Sequence, residues 1–289
     1  PPHGREPADG AVTTMLLLCA TPIGNLGDLT PRVREALTTC DAVYCEDTRR
    51  TLTLLNHIGI KKPLVSCYRE NERQRAEEVV ARIQAGETVV YVSDAGMPGV
   101  SDPGEVLIQA CIANNLPYSV LPGASAVLMA AVMSGLPAMP FSFFGFFPRE
   151  NKAQKQLIEQ LRRLDHTVIF YESPNRVHAT VTALLEGLGD LDAALLRELT
   201  KLHEEVVRGT LSELAARYME NPPRGECVLC VRCRATAQAS DTPDLTTLLT
   251  SLLSSGLSVR DAAAEAAKAC GVPKKEAYAK ALEIQSSLS

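Results

Sequence analysis

Short apolar runs alternate with amphipathic stretches through the first half of the chain. "MLLLCA" (15–20), "AVYCE" (42–46), "PLVSC" (63–67), "TVVYVS" (88–93) and "YSVLP" (118–122) have the length and composition of buried strands. Between them the period lengthens to that of helices. One starts at Thr30–Pro31, with Thr as N-cap and Pro at the first position. Others span about 48–58 (ending at Gly59), 71–85 (stopping at Gly86), 105–115 and 123–135. Strand–helix alternation of this kind predicts a mostly parallel sheet.

The rhythm breaks at "LPAMPFSFFGFFPREN" (136–151), which holds five of the six phenylalanines. A domain boundary is placed there. Beyond it strands are predicted near 141–146, 167–171, 193–198, 204–209 and 226–233, and helices near 151–163, 175–187 and 211–219, the last opened by a Thr210/Glu213 capping box. Fewer helices separate these strands, so the second sheet should be mixed. A polar stretch, "ATAQASDTPD" (235–244), precedes three short helices. The first stops at Gly256; the second has a Ser258/Asp261 cap and ends at Gly271; the third opens at Pro273. The brief "GVP" turn gives the last two a helix-turn-helix character. The expected organisation is a disordered extension over 1–14 (with Met15 a plausible start), α/β domains over 15–136 and 137–235, and a helical domain over 245–289.

With 289 residues, 46% of them hydrophobic, the chain can bury about two domain cores. A net charge of −5 argues against non-specific coating of nucleic acid and leaves room for a local basic patch. Nine cysteines without a secretion signal, and no early apolar run of spanning length, read as reduced thiols in a cytoplasmic protein with no membrane partner.

The chemistry concentrates where strands end. "SDAGMPGVSDPG" (93–104) holds three glycines, two prolines and two aspartates, a rigid loop with bare backbone. "ATPIGNLGD" follows the first strand and "LPGASA" the fifth. Three such loops at strand C-termini make one backbone-lined pocket. Neither G-x-G-x-x-G nor G-x-x-x-x-G-K-[ST] is present, which argues against a dinucleotide or a nucleoside triphosphate. A purine, a ribose and a small charged tail would fit, as in S-adenosylmethionine. "CEDTRRT" joins Glu46 and Asp47 to Arg49 and Arg50. It is either a capped, solvated helix start or a phosphate-binding cluster. His203 and Glu205 are either proton acceptors or ordinary polar residues of an edge strand. "CVLCVRC" (227–233) has metal-like spacing, but strand alternation turns Cys227 and Cys230 to opposite faces, and no metal is expected. The phenylalanine cluster could stack bases, although core or interface is the commoner use.

"CATPIGNLGDLT", "CEDTRRT", "SDAGMPGVSDPG", "LPGASA", "FFGFFPR", "YESPNRV" and "RELTKLHEEVVRGTLSEL" occur in that order, and the chain from about Leu16 onward resembles the tetrapyrrole-methylase superfamily. Within it, the resemblance is greatest to bacterial enzymes that 2′-O-methylate a cytidine ribose in small-subunit (16S) ribosomal RNA. It implies a two-domain α/β class III methyltransferase fold with a small all-α C-terminal segment, a homodimer, and S-adenosylmethionine as cofactor. By position, Pro22, Asp94, Ala95, Gly96, Ser125, Ala126 and Tyr171 would line the cofactor site. Arg49, Arg50 and Asn71 would meet ribosomal RNA, in an assembled small subunit, and the hydroxyl proton would pass to Glu46, Asp47, His203 or Glu205. Family members often carry histidines before "NE" (71–72), where this chain reads "CYRENE". Tetrapyrrole carbon methylation is the alternative within the fold, and the helical tail argues against it. A non-catalytic RNA-binding or ribosome-assembly module is the alternative outside enzymes, and the intact loops argue against that.

Overall fold

The computed structural model describes residues 14–235 and 245–288, so the expected extension over 1–14 and the polar stretch 235–244 lie, but for one residue each, outside the described residues. The first sheet contains β1 (Leu16–Cys19), β2 (Ala42–Cys45), β3 (Leu64–Ser66), β4 (Val89–Val92) and β5 (Tyr118–Leu121). They run in the order β3-β2-β4-β1-β5, every pair parallel. Strands β1, β2 and β4 are apolar without alternation because both sheet faces are covered. Helices α1 (Pro31–Thr39) and α2 (Thr48–His57) bury one face, with Val33, Leu37 and Leu55 packed on Val43 and Val90. Helices α3 (Glu72–Gln84) and α4 (Glu105–Ala113) bury the other, around Leu16, Tyr44 and Tyr91. The Thr30 hydroxyl caps α1 at the Val33 amide, 3.3 Å away. Glu72, almost wholly buried, accepts from the Gly104 and Val106 amides at 2.7 and 3.1 Å. It therefore satisfies orphan donors at the start of α4 and pins the end of the 93–104 loop.

The second sheet has β6 (Phe141–Phe146), β7 (Thr167–Glu172), β8 (Asp192–Arg197), β9 (Glu205–Thr210) and β10 (Cys227–Arg232), in the order β6-β7-β10-β8-β9. It is mixed, as predicted: β6 and β7 are parallel and the remaining pairs antiparallel. Helices α7 (Val177–Leu188) and α8 (Leu211–Tyr218) pack together, with α8 against β8 and β9; α8 opens with the expected capping box. Helix α5 (Ala126–Met133) lies on the opposite face, where Val127, Ala130, Ile169, Leu196 and Cys230 share one core with Ile23. From β9, Arg208 donates to the Met133 and Ser134 carbonyls at the end of α5. Strand alternation sends Cys230 toward α5, its Sγ 3.8 Å from the Ala130 oxygen, and Cys227 to the other face. Burial pushes both thiols up to about 12, where the metal-binding thiolate is scarce. Phe144 stacks on the buried Phe170, and Phe143 and Phe146 stand edge-on to Tyr171.

Both sheets belong to one compact unit; among the described residues, 150–165, 233–235 and 245–288 form a second. The second contains α6 (Asn151–Leu161), α9 (Leu245–Ser254), α10 (Val259–Cys270) and α11 (Lys274–Leu288). Leu249, Ala262, Ala266, Ala277 and Ala281 make a small core there, alanines letting the helices approach closely. Ser258 caps α10, and Gly271 ends it in the left-handed conformation (φ +67°). None of the described helices is long and apolar enough to cross a membrane.

Candidate active site

Because β2, β4, β1 and β5 are neighbours and parallel, the segments after them emerge along one sheet edge. Thr21 and Gly96 exchange backbone hydrogen bonds, both 3.0 Å, which ties the loop after β1 to the loop after β4. The Thr21 hydroxyl also reaches the Ser93 carbonyl at 3.3 Å. Gly96 sits at φ +81°, and a Cβ there would lie 3.2 Å from Ile23 Cγ2 and 3.5 Å from the Ala124 oxygen. Glycine is therefore required for the junction of three loops, and its own amide and carbonyl are spent on Thr21. A cavity of about 100 Å³ opens beside this junction, lined by Thr21, Pro22, Arg50, Ser93 and Asp94.

Carboxylates gather at the same edge. The Asp94 carboxylate accepts from the Asp47 amide at 3.0 Å and faces Arg50 Nε at 3.5 Å. In return the Asp94 amide donates to the Glu46 carboxylate. This reciprocal clasp fixes "CED" against "SDAG". Burial, then the Asp102 and Asp94 carboxylates, raises Glu46 above the ordinary carboxylate range. Burial likewise raises Asp102, which accepts a hydrogen bond from Ser93. Asp47 is opposite in character. It caps α2 through the Arg49 amide (2.8 Å) and grips the Arg49 guanidinium at 3.2 and 2.9 Å. Those bonds hold it down at about 2.

The far wall comes from α5 and the second sheet. Ser125 caps α5 at the Leu128 amide (3.4 Å), and Ala95, Ala124, Ala126 and Tyr171 pack around the shared core. The Tyr171 hydroxyl accepts from the Val127 amide, and burial followed by the nearby Asp102 charge pushes it up to about 12. All seven residues expected around the cofactor thus fall in one neighbourhood, together with Glu46, Asp47 and Arg50.

Residues 15–215 match the family described as Tetrapyrrole (Corrin/Porphyrin) Methylases, and residues 239–285 match one described as RsmI C-terminal HTH domain. The chain is 41% identical to "Ribosomal RNA small subunit methyltransferase I" of Synechocystis sp., over 94% of this chain and 98% of that one. The chain belongs to this tetrapyrrole methylase family. It is an S-adenosylmethionine-dependent methyltransferase. The protein of the same name from Bacillus subtilis is 37% identical over 91% of this chain and 92% of that one. Among solved structures, the fold is shared with diphthine synthase (TM-score 0.60, 17% identity, 75% of this chain and 90% of that one). It is shared too with the uroporphyrin-III C-methyl transferase of Thermus thermophilus complexed with S-adenyl homocysteine (TM-score 0.53, 17% identity, 75% and 96%).

The donor set suits the methyl donor of this methyltransferase. S-adenosylmethionine is cationic at sulfur and at its amino group, and Asp94 puts negative charge in the cavity beside half-exposed Pro22, next to small, half-exposed Ala95. Three other expected residues lie outside this neighbourhood or are committed elsewhere. The Asn71 side chain accepts from the Tyr68 amide (2.8 Å) and donates to the Ser66 carbonyl (3.2 Å), closing the turn after β3. His203 is exposed on the turn between β8 and β9, whose Thr200 and Lys201 crowd Gly24 of the first loop. Along the second sheet Tyr171, Val228, Leu196 and Val206 align on the α5 face, whereas Glu172, Cys227, Arg197 and Glu205 align on the other. Glu205 therefore points away from α5, paired with Arg197 (2.5 Å) and Arg217 (3.3 Å). Asp102 is the residue that sequence reading passed over. It sits inside the "SDPG" turn, and only the tertiary structure brings that turn back onto Ser93.

Proposed function

We propose that this methyltransferase methylates the ribose 2′-hydroxyl of a cytidine in small-subunit ribosomal RNA, within the assembled subunit, in the cytoplasm. The observation that carries the reading is Glu46, a half-buried carboxylate with raised proton affinity, joined to the loop after β4 by the Asp94 amide. A hydroxyl nucleophile must lose its proton during transfer, and a base whose pKa approaches the working pH serves best. When bound, S-adenosylmethionine supplies an electrophilic methyl group. The chain's part is to orient the ribose, exclude water and accept the proton at Glu46. Asp47 is too acidic for that task, and Glu205 faces the wrong side of its sheet. Supporting the RNA substrate, the ribosomal RNA relatives span the helical tail, and the tetrapyrrole and diphthine structures cover 75% of this chain. Between Ser258 and Lys280 the tail carries five basic and three acidic residues, a local excess that suits phosphate. Incubation with methyl-labelled S-adenosylmethionine and unmodified small subunits, followed by nuclease digestion and mass spectrometry, should yield 2′-O-methylcytidine. Label on a base, or on a tetrapyrrole and not on RNA, refutes the reading. A chain truncated at Thr242 should keep its affinity for S-adenosylmethionine and lose most methylation of subunits; full activity would remove the tail from recognition.

Arg49 and Arg50 are assigned to RNA phosphates. The Arg49 side chain is 89% exposed and already aligned by Asp47, whereas Arg50 also touches Asp94. Arg49→Ala should weaken RNA binding alone, by about 3–10-fold at moderate salt. Arg50→Ala should weaken both RNA and S-adenosylmethionine binding. Equal RNA affinity of Arg49→Ala and the parent protein in a filter-binding series would return "CEDTRR" to a purely structural role.

The homodimer is proposed through α5. Leu128 and Val132, one turn apart, are 58% and 75% exposed, a costly apolar face for a lone chain. Val132→Asp should shift sedimentation from dimer to monomer; an unchanged dimer would place the interface elsewhere.

A further inference from the structure

On the α8 side of the second sheet, away from Tyr171, lies a cavity of about 380 Å³ between the end of β8, the start of β9, the end of α8 and the loop that follows. Arg197, Arg217 and Arg224 line it with Glu205, Tyr218 and Asn221. One carboxylate faces three guanidiniums. Glu205 is bonded to Arg197 and Arg217, and among the described residues no ion pair involves Arg224. The cavity wall thus keeps a net positive charge although the whole chain carries −5. A second feature is independent of charge. Tyr218 is only 5% exposed, and its hydroxyl is buried without a well-formed hydrogen bond. Arg217 lies over the Tyr218 ring, its guanidinium carbon 5.8 Å from the centroid, and also acts on the hydroxyl itself. A buried hydroxyl with incomplete hydrogen bonding is costly, and a water or an ion is one of the things that can complete it.

We infer that this cavity is a phosphate-binding subsite, in which Arg217, Arg224 and the Tyr218 hydroxyl hold one phosphate of the RNA backbone at a distance from the methyl-transfer site. Arginine suits this because its planar fork donates two bonds to one phosphate. Glu205 holds Arg197 and Arg217 in place and lowers the charge so that the cavity is stable when empty. The phosphate chemistry stands by itself; its assignment to RNA rests on the substrate reading above.

The test uses the full chain with two probes, inorganic phosphate followed by calorimetry, and a small-subunit RNA fragment titrated at several salt concentrations. Arg224→Ala and Tyr218→Phe are the variants, with circular dichroism to establish folding. Arg224 is exposed, and Tyr218→Phe keeps the ring, so both should fold. Arg224→Ala should weaken RNA binding about 3–10-fold and reduce the slope of log K against log salt by about 0.7–0.9, one phosphate contact. Tyr218→Phe should weaken phosphate and RNA binding in parallel, and Glu205→Gln should strengthen both. RNA affinity and salt slope unchanged in Arg224→Ala and Tyr218→Phe, with phosphate binding also unchanged, overturn the subsite. Phosphate binding that the variants lose while RNA affinity stays constant overturns the RNA assignment and identifies a free-phosphate site. A parent protein that binds phosphate here but no RNA fails the substrate reading and leaves the phosphate chemistry standing.

Discussion

Glu46→Gln should lower kcat for methyl transfer by about 10²–10⁴-fold, the range that a positioned general base contributes. Affinity for S-adenosylmethionine should change little, because the amide keeps the shape of the side chain and can still accept from the Asp94 amide. The pH profile separates this from a structural effect. A base acts when deprotonated, so activity should fall as pH drops through the raised pKa of Glu46, and that limb should vanish in the variant. Stability runs the other way. A carboxyl raised on folding costs stability at pH values above its unfolded pKa, where the folded protein must hold a charge it resists. Its neutral amide should therefore leave Tm unchanged or slightly higher. Asp102→Asn gives a control within the cluster. It removes one of the two charges that raise Glu46, so the acidic limb should move to lower pH without a comparable loss of rate at its plateau. Equal kcat in Glu46→Gln and the parent protein would sink the assignment and leave His203, on the exposed turn, as the remaining candidate.

The fold was legible from the sequence wherever local chemistry determines structure. Apolar runs without alternation marked β1, β2 and β4 because both their faces are covered, and Thr30, Ser258 and Gly271 marked helix ends by their own hydrogen bonding or backbone freedom. The loops could be assigned to one pocket because parallel strands place their C-terminal ends together. What could not be read was anything decided by side-chain direction across a sheet. Glu205 and Tyr171 both occur near strand ends in family motifs, and only the ladder register shows them on opposite faces. Asn71 reads as a substrate ligand from its place in "NE", yet its amide is bonded to backbone at both ends. Asp102 needed the 93–104 loop to fold back. Glu72 looks like an ordinary charge in a helix start, and only its buried bonds to Gly104 and Val106 reveal it as the anchor of that loop.

Gly96→Val should abolish measurable S-adenosylmethionine binding and lower Tm by several degrees. Two costs combine. The left-handed backbone at φ +81° resists a side chain by about 1–2 kcal/mol, and more for a β-branched one. The Cβ would meet Ile23 Cγ2 at 3.2 Å and the Ala124 oxygen at 3.5 Å, an overpacking cost of about 1–3 kcal/mol. Relief requires the loop after β4 to move from the loops after β1 and β5. That movement breaks the paired bonds to Thr21 and shifts Asp94, hence the clasp with Glu46 and Asp47. Gly86→Val isolates the backbone term. Gly86 sits at φ +94°, and a Cβ there would meet nothing within 4 Å, so this variant should lose stability and keep its cofactor affinity. Calorimetry with S-adenosylmethionine at a temperature where both variants are folded distinguishes them. Parent-like affinity in Gly96→Val would mean that the three loops tolerate separation and that the cofactor is held elsewhere.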